Sequence, residues 1–241
     1  MKKCFIRAVP FYKVWTNAVI VLVLSVVAVF SAVGGSAYHA SKVVNGVYCS
    51  GNENSGKVSL MINVYWGTEF LDKMLATLRE YNVKATFFVG GMWAVEESDM
   101  LQKIYDDGHE IGNHGYSHKQ CAKVSAETVY EEIDTTNTVV EKILNEKPTL
   151  FAPPAGSYNK KTVSIAEGLG MKVVMWTDGK DTIDWRDHDK EKIVSRATKN
   201  ISSGDFVLMH PTSETADALE EIILQIREKG LDFCKVSENL A

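Results

Sequence analysis

Residues 84–114 read KATFFVGGMWAVEESDMLQKIYDDGHEIGNH, and this stretch decides the fold class. Ala85–Val89 is a short aromatic and β-branched run of strand length. Met100–Asp107 repeats its apolar residues at helical spacing and stops at Asp107-Gly108, where glycine supplies the small residue after a last turn. His109–Gly112 returns to a strand-like run. Strand, helix and strand in such close succession make a β-α-β unit, which requires parallel pairing through a right-handed crossover.

The same alternation extends both ways. Strand runs are expected at Val58–Asn63, Thr149–Ala152, Lys172–Trp176, Phe206–Met209 and Phe233–Val236, besides the two just named. Helical patterns fill Glu69–Tyr81, Ala126–Asn145, Lys160–Gly168, Lys190–Asn200 and Thr215–Lys229. The body is about 185 residues long, short of the roughly 250 of a full eight-fold barrel. A deformed parallel (β/α)7 barrel is expected, with a doubly wound open sheet as the alternative; both place functional groups at the carboxyl ends of the strands.

The chain has 241 residues, 45% hydrophobic and 24% charged, a globular composition without disorder or low complexity. Its net charge is −5, yet residues 1–40 hold Lys2, Lys3, Arg7 and Lys13 and no acid. The 22 basic and 31 acidic residues that follow make the body strongly acidic, which excludes nucleic acid as a partner. After the basic start, Ala18–Val33 is apolar apart from Ser25 and Ser31. We read residues 1–17 as a cytoplasmic basic tail, 18–37 as a transmembrane or signal segment, 38–56 as a polar spacer and 57–241 as the domain. The length of the run favours an uncleaved single-pass anchor in the cell membrane, with the body outside; secretion after cleavage near Gly35-Ser36-Ala37 is the alternative. Cys49, Cys121 and Cys234 are then extracytoplasmic, an odd number from which no disulfide framework can be read.

The chemistry-bearing residues fall where the strand-end rule puts them. His114 and His118 follow the third expected strand, Pro153-Pro154-Ala155-Gly156 the fourth, Asp181 and Asp184-Trp185 the fifth, and His210 the sixth. Two imidazoles four residues apart share a face when the backbone coils, a spacing that suits zinc and similar cations. Each histidine alone reads as an ordinary loop or core residue; their convergence does not.

These motifs resemble the NodB-type polysaccharide deacetylases, and the likeness runs from Lys57 to Glu238. Lys84-Ala-Thr-Phe-Phe-Val-Gly90, Gly108-His-Glu-Ile-Gly-Asn-His114 with His118, Pro153-Pro154 with Gly156, Asp184-Trp185 and Leu208-Met-His210 stand in the family's order. The N-terminal anchor and Asp181-Thr-Ile-Asp-Trp185 are similar to the membrane-tethered, sporulation-associated branch. The resemblance implies a deformed β/α barrel and metal-dependent removal of acetyl groups from peptidoglycan or chitin-like glycan. It implies His114 and His118 as metal ligands, with zinc weakly held or absent, and His210 and Asp184 as catalytic residues. Pro154, Ala155, Asp181, Trp185 and Leu208 are the implied substrate contacts. The family's first motif, Thr-Phe-Asp-Asp, falls on Met61-Ile62-Asn63-Val64, so an amide stands at the base position and a valine at the carboxylate-ligand position. The Arg that orients the base is Ala152 here. Cys121, Glu69 and Asp72 are the candidates for a substitute ligand. Three readings follow: a hydrolase with impaired or altered chemistry, an inactive glycan-binding module, and a tethered envelope scaffold.

Overall fold

The computed structural model describes residues 43–240. The expected basic tail and anchor lie outside the described residues. Among those described, no helix is long and apolar enough to cross a membrane.

Among the described residues nine strands form one α/β half-barrel, parallel except for β1: β1 (Val43–Val44), β2 (Val47–Tyr48), β3 (Lys57–Val64), β4 (Thr86–Val89), β5 (Glu110–Asn113), β6 (Leu150–Phe151), β7 (Lys172–Val174), β8 (Phe206–Met209) and β9 (Asp232–Phe233). The order is β1-β2-β7-β6-β5-β4-β3-β8, with β9 beside the start of β3. Strands β2 to β8 run parallel along this path and β9 pairs in parallel with β3, so each of the seven expected strands is present, β9 shorter than expected, and β2 is added to them.

Two corrections explain this. The stretch expected as spacer contains a hairpin: Asn45 and Gly46 both take positive φ (53° and 81°), the geometry of a two-residue turn, and β2 then pairs with β7. At the other end, the expected strand Phe233–Val236 is only Asp232–Phe233, and Val236 instead opens a short helix, α8 (Val236–Asn239). The expected strand Thr149–Ala152 is likewise trimmed to Leu150–Phe151, because Pro153 and Pro154 cannot donate to a ladder.

Helices α1 (Thr68–Glu80), α2 (Gly91–Glu96), α3 (Ser98–Asp106), α4 (Ala126–Leu144), α5 (Lys160–Gly168), α6 (Lys190–Thr198) and α7 (Ser213–Glu228) connect the strands. Helices α4, α5 and α7 begin at side-chain caps: Ser125 accepts from Thr128 N, Asn159 from Thr162 N, and Thr212 from Thr215 N. Strand alternation sorts β3 onto two faces. Val58, Leu60, Ile62 and Val64 pack in the large cluster between sheet and helices. Met61 joins Phe88, Leu150, Ala152, Phe206 and Leu208 in an inner cluster that fills the barrel. The open seam is bridged after β7. Thr177 N donates to Phe206 O (3.0 Å), its hydroxyl accepts from Phe206 N (3.0 Å) and donates to Cys49 O (2.8 Å), and Asp181 then pairs with Leu208.

Candidate active site

Above the inner cluster, at the carboxyl ends of the strands, lies a cavity of about 320 Å³. Asn63 and Tyr65 reach it from the end of β3, His114 and His118 from the loop after β5, and Ala155 and Gly156 from the turn after β6. Trp176 enters after β7, and Asp181, Trp185, Leu208 and His210 complete the wall. A wider hollow of about 570 Å³ opens around His109 and Lys235 at the amino ends of the strands. Ligand sites in α/β sheets lie at the carboxyl ends, so the smaller cavity is the candidate.

The His114–His118 loop is held from beneath. Asn113 accepts from Gly115 N (2.7 Å) through its side-chain oxygen and donates to Ile133 O and Asn137 Oδ1. Glu132, on the buried face of α4, accepts from Tyr116 N (2.9 Å) and Ser117 N (2.8 Å) and from the Ser117 hydroxyl. Pro154, expected at the substrate, is instead buried under Gly115 and does not line the cavity. His114 shares a 2.7 Å hydrogen bond with Ala152 O through Nδ1. If Nδ1 carries the proton, as a carbonyl partner requires, Nε2 keeps its lone pair. Burial, then the neighbouring His118 and His210, lowers His114 to about 3, so the ring is neutral at ordinary pH.

His210 is fixed by a fully buried carboxylate. Asp184 Oδ1 pairs with His210 Nδ1 at 2.8 Å, and Asp184 Oδ2 accepts from His210 N and the Thr215 hydroxyl, each at 2.6 Å. Asp184 is shut off from the cavity and acts on it only through His210. Asp181 does face the cavity; its Oδ1 accepts from Ile183 N (2.8 Å), and burial raises its carboxyl above the usual range. Trp185 stands half exposed at the rim with the Arg186 guanidinium 5.8 Å from its ring.

The metal positions are only half built. The His114 and His118 ring centroids are 5.1 Å apart. Two imidazoles on one tetrahedral ion, at Zn–N of about 2.0–2.1 Å, would place their centroids about 5 Å apart, so the pair itself fits. A third ligand does not. Val64 is fully buried in the cluster outside the barrel. Cys121 is buried with its thiol pushed up to about 11 by desolvation, and donates to Lys119 O. Asp72 is ion-paired with Lys103 at the surface (2.6 Å), and Glu69 is exposed away from the cavity. Beside His118 stands Tyr65 instead, its ring stacked at 3.7 Å and 21°. Among the described residues no three His, Cys, Asp or Glu side chains are grouped to hold a metal ion. The donor set therefore does not fit a three-ligand catalytic metal.

At the base position Asn63 is 4% exposed, and its Oδ1 is the one buried side-chain polar atom among the described residues without a hydrogen-bond partner. It stands in register with Phe88 on the inner face, and Ala152, where an Arg would have supplied a donor, is also buried there. Such an orphan costs about 1–3 kcal/mol. Sequence reasoning missed Glu132, Asn113, Trp176 and Thr215. Glu132 sits mid-pattern on amphipathic α4 and Thr215 in the first turn of α7, and neither carries a local signal of a site.

Residues 50–174 match the family model for polysaccharide deacetylase. This chain belongs to that family. The uncharacterized protein YlxY of Bacillus subtilis is 41% identical over 87% of this chain, which spans 65% of that relative's length. A peptidoglycan-N-acetylglucosamine deacetylase of Bacillus cereus is 34% identical over 71% of this chain and 82% of its own. Among solved structures, a wild-type CE4 family pseudoenzyme from Bacillus anthracis superposes with a TM-score of 0.79 at 36% identity, covering 83% of this deacetylase-family chain and 70% of the pseudoenzyme.

Proposed function

We propose that this polysaccharide deacetylase-like protein binds acetylated cell-wall glycan, peptidoglycan in the first place, without the hydrolytic chemistry of its enzymatic relatives. The observation that carries this reading is Asn63. An amide at the place of the general base accepts no proton at ordinary pH, and its carbonyl is buried and unpaired beside a cavity that keeps His114, His118 and His210 in its wall. The loss is concerted: base position, carboxylate ligand and orienting Arg are replaced together by Asn63, Val64 and Ala152. The aromatic walls are kept, with Tyr65, Trp176 and Trp185 around one opening. Relatives of both kinds, a peptidoglycan deacetylase and a pseudoenzyme, are compatible with this division between a retained groove and altered chemistry.

The test is binding. The full chain is expected to cosediment with purified peptidoglycan, and Tyr65→Ala with Trp185→Ala is expected to weaken retention about tenfold by removing the flat apolar walls. Retention that survives the double change would remove the cavity from the reading. A second reading, residual hydrolysis, is favoured by one observation, the intact Asp184–His210–Thr215 arrangement. Acetate release is the measurement that separates the two.

We further propose that the chain is held in the cell membrane by residues 18–37 with its C-terminal domain extracytoplasmic, on the strength of the basic start and apolar run. A phosphatase reporter fused after Ala241 is expected to be active only outside the cytoplasm. Activity of a cytoplasm-specific reporter at the same junction would overturn this.

A further inference from the structure

The hollow of about 570 Å³ at the amino ends of the strands lies at the other end of the sheet from the glycan cavity, and it holds a donor that the protein leaves unused. His109 is 4% exposed, and its Nδ1 accepts from Ala85 N at 3.1 Å. The ring proton of the neutral imidazole therefore sits on Nε2. Nε2 has no partner in the protein, yet among the described residues the one sealed orphan is Asn63 Oδ1, so Nε2 is open to the hollow that His109 lines. We propose that this hollow binds a short aliphatic peptide with both ends free, its carboxylate on His109 Nε2–H and Lys235 and its ammonium at the acidic rim. The site is separate from the glycan cavity and does not depend on the reading given to it.

The order of charge with depth selects a zwitterion. The charges that bear most on the His109 ring are Lys84, Lys235 and Arg79 against Asp107. Lys84 is spent on Asp107 O and Arg79 on the Asp107 carboxylate. Lys235, half-buried beside the ring and in no ion pair, is the cation left for a ligand. A carboxylate placed there takes one charge-assisted hydrogen bond from the ammonium of Lys235 and another from Nε2–H. At the mouth the sign reverses, where Asp106, Glu146 and Glu238 are exposed against Lys147. Helices α3 and α4 also end at this rim, so their last carbonyls add negative potential. A phosphate would be repelled by that rim, and a simple amine would leave Nε2–H and Lys235 unanswered. A peptide charged at both ends satisfies both. Between them Ile111, Val140, Leu144 and Pro148 offer apolar surface to small aliphatic side chains. The volume falls within the roughly 300–1,000 Å³ of small-ligand sites.

The experiment is calorimetric titration of the full chain with alanyl-alanine, N-acetyl-alanyl-alanine and alanyl-alanine amide. The free dipeptide is expected to bind at least about tenfold more tightly than either blocked form, because each block removes one charge-assisted contact. Lys235→Met, which keeps the length of the side chain and removes its charge, is expected to lose about tenfold for the free dipeptide and to narrow its preference over the amide, while the preference over the N-acetyl form stays. His109→Asn keeps an acceptor near Ala85 N but lacks the outer N–H; it should lose a similar factor, and its Tm shows whether the fold is kept. An excess of tetra-N-acetylchitotetraose is expected not to displace the dipeptide, since the two hollows lie at opposite ends of the sheet. Equal binding of the three peptides, or of none, would overturn the zwitterion site. Undiminished binding by Lys235→Met would overturn its place beside His109, and displacement by the tetramer would overturn it in favour of the other cavity.

Discussion

Acetate release from acetylated chitooligosaccharides by the unmodified chain is expected to stay at the level of a protein-free control. Amide hydrolysis needs a base to take the proton of water, a group that polarises the carbonyl and an acid for the leaving amine. Of these, His210, held by Asp184, is built. General-base assistance is worth about 10²–10⁴-fold, and a Lewis acid several kcal/mol more, so the two missing parts remove the bulk of the acceleration. The combined change Asn63→Asp, Val64→Asp and Ala152→Arg is expected to raise turnover by about 10²-fold or more over the unmodified chain. The single changes should do little, because base, ligand and orienting Arg act as a unit. The structure adds a cost to one of them. Val64 is fully buried in the outer cluster, so its replacement by Asp has to leave that packing, and Tm should fall most for this single variant. Ready turnover by the unmodified chain, abolished by His114→Ala, would show the chemistry rebuilt from other residues and would end the non-catalytic reading.

Stability should fall steeply as the pH drops from about 6.5 to about 4, earlier than carboxylates alone would bring it. His109 is 4% exposed, its Nδ1 accepts from Ala85 N (3.1 Å), and its ring lies edge-on to Phe87 at 5.0 Å. Burial, and next the charge of Lys84, lowers it to about 4. The unfolded chain takes up this proton below about 6.5 while the folded chain refuses it until about 4. Protonation therefore pulls towards unfolding across that window, by about 1.4 kcal/mol per pH unit. At pH 5 that is about 2 kcal/mol from this ring, a large share of a domain's usual 5–15. His114, lowered to about 3, works in the same direction. Asp181 and Asp205, both raised by burial, oppose it at the acid end. Urea unfolding at pH 7 and pH 5 measures the difference, and His109→Gln should reduce it by about 2 kcal/mol. An unchanged pH dependence in that variant would exclude His109 as the source.

The β-α-β reading of residues 84–114 was legible because strands and helices carry their period locally. Ala85–Val89 and His109–Gly112 became β4 and β5 within one residue of the expected bounds. The helix patterns held for the same reason. Strand β2 was not legible: Val47–Tyr48 is two residues long and is a strand because β1 and β7 pair with it. The histidines, Asp181, Trp185 and Leu208 were legible as strand-end residues, and the structure brings them to one cavity. Pro154 and Asp184 were placed at the ligand by the pattern, but one lies beneath the loop and the other behind His210.

The sequence by itself determined the α/β class and the end of the sheet at which the site lies, and its family resemblance put Asn63, Val64 and Ala152 at the expected base, ligand and Arg positions. Those depend on residue identity and short-range spacing. Only the tertiary structure decided that none of the candidate substitutes among the described residues replaces them. Whether Cys121, Glu69 or Asp72 reaches His114 depends on how helices and loops pack over the barrel, and they pack away from it. The orphaned carbonyl of Asn63 was settled the same way, since a hydrogen bond is missing only when every neighbouring element has arrived without a donor.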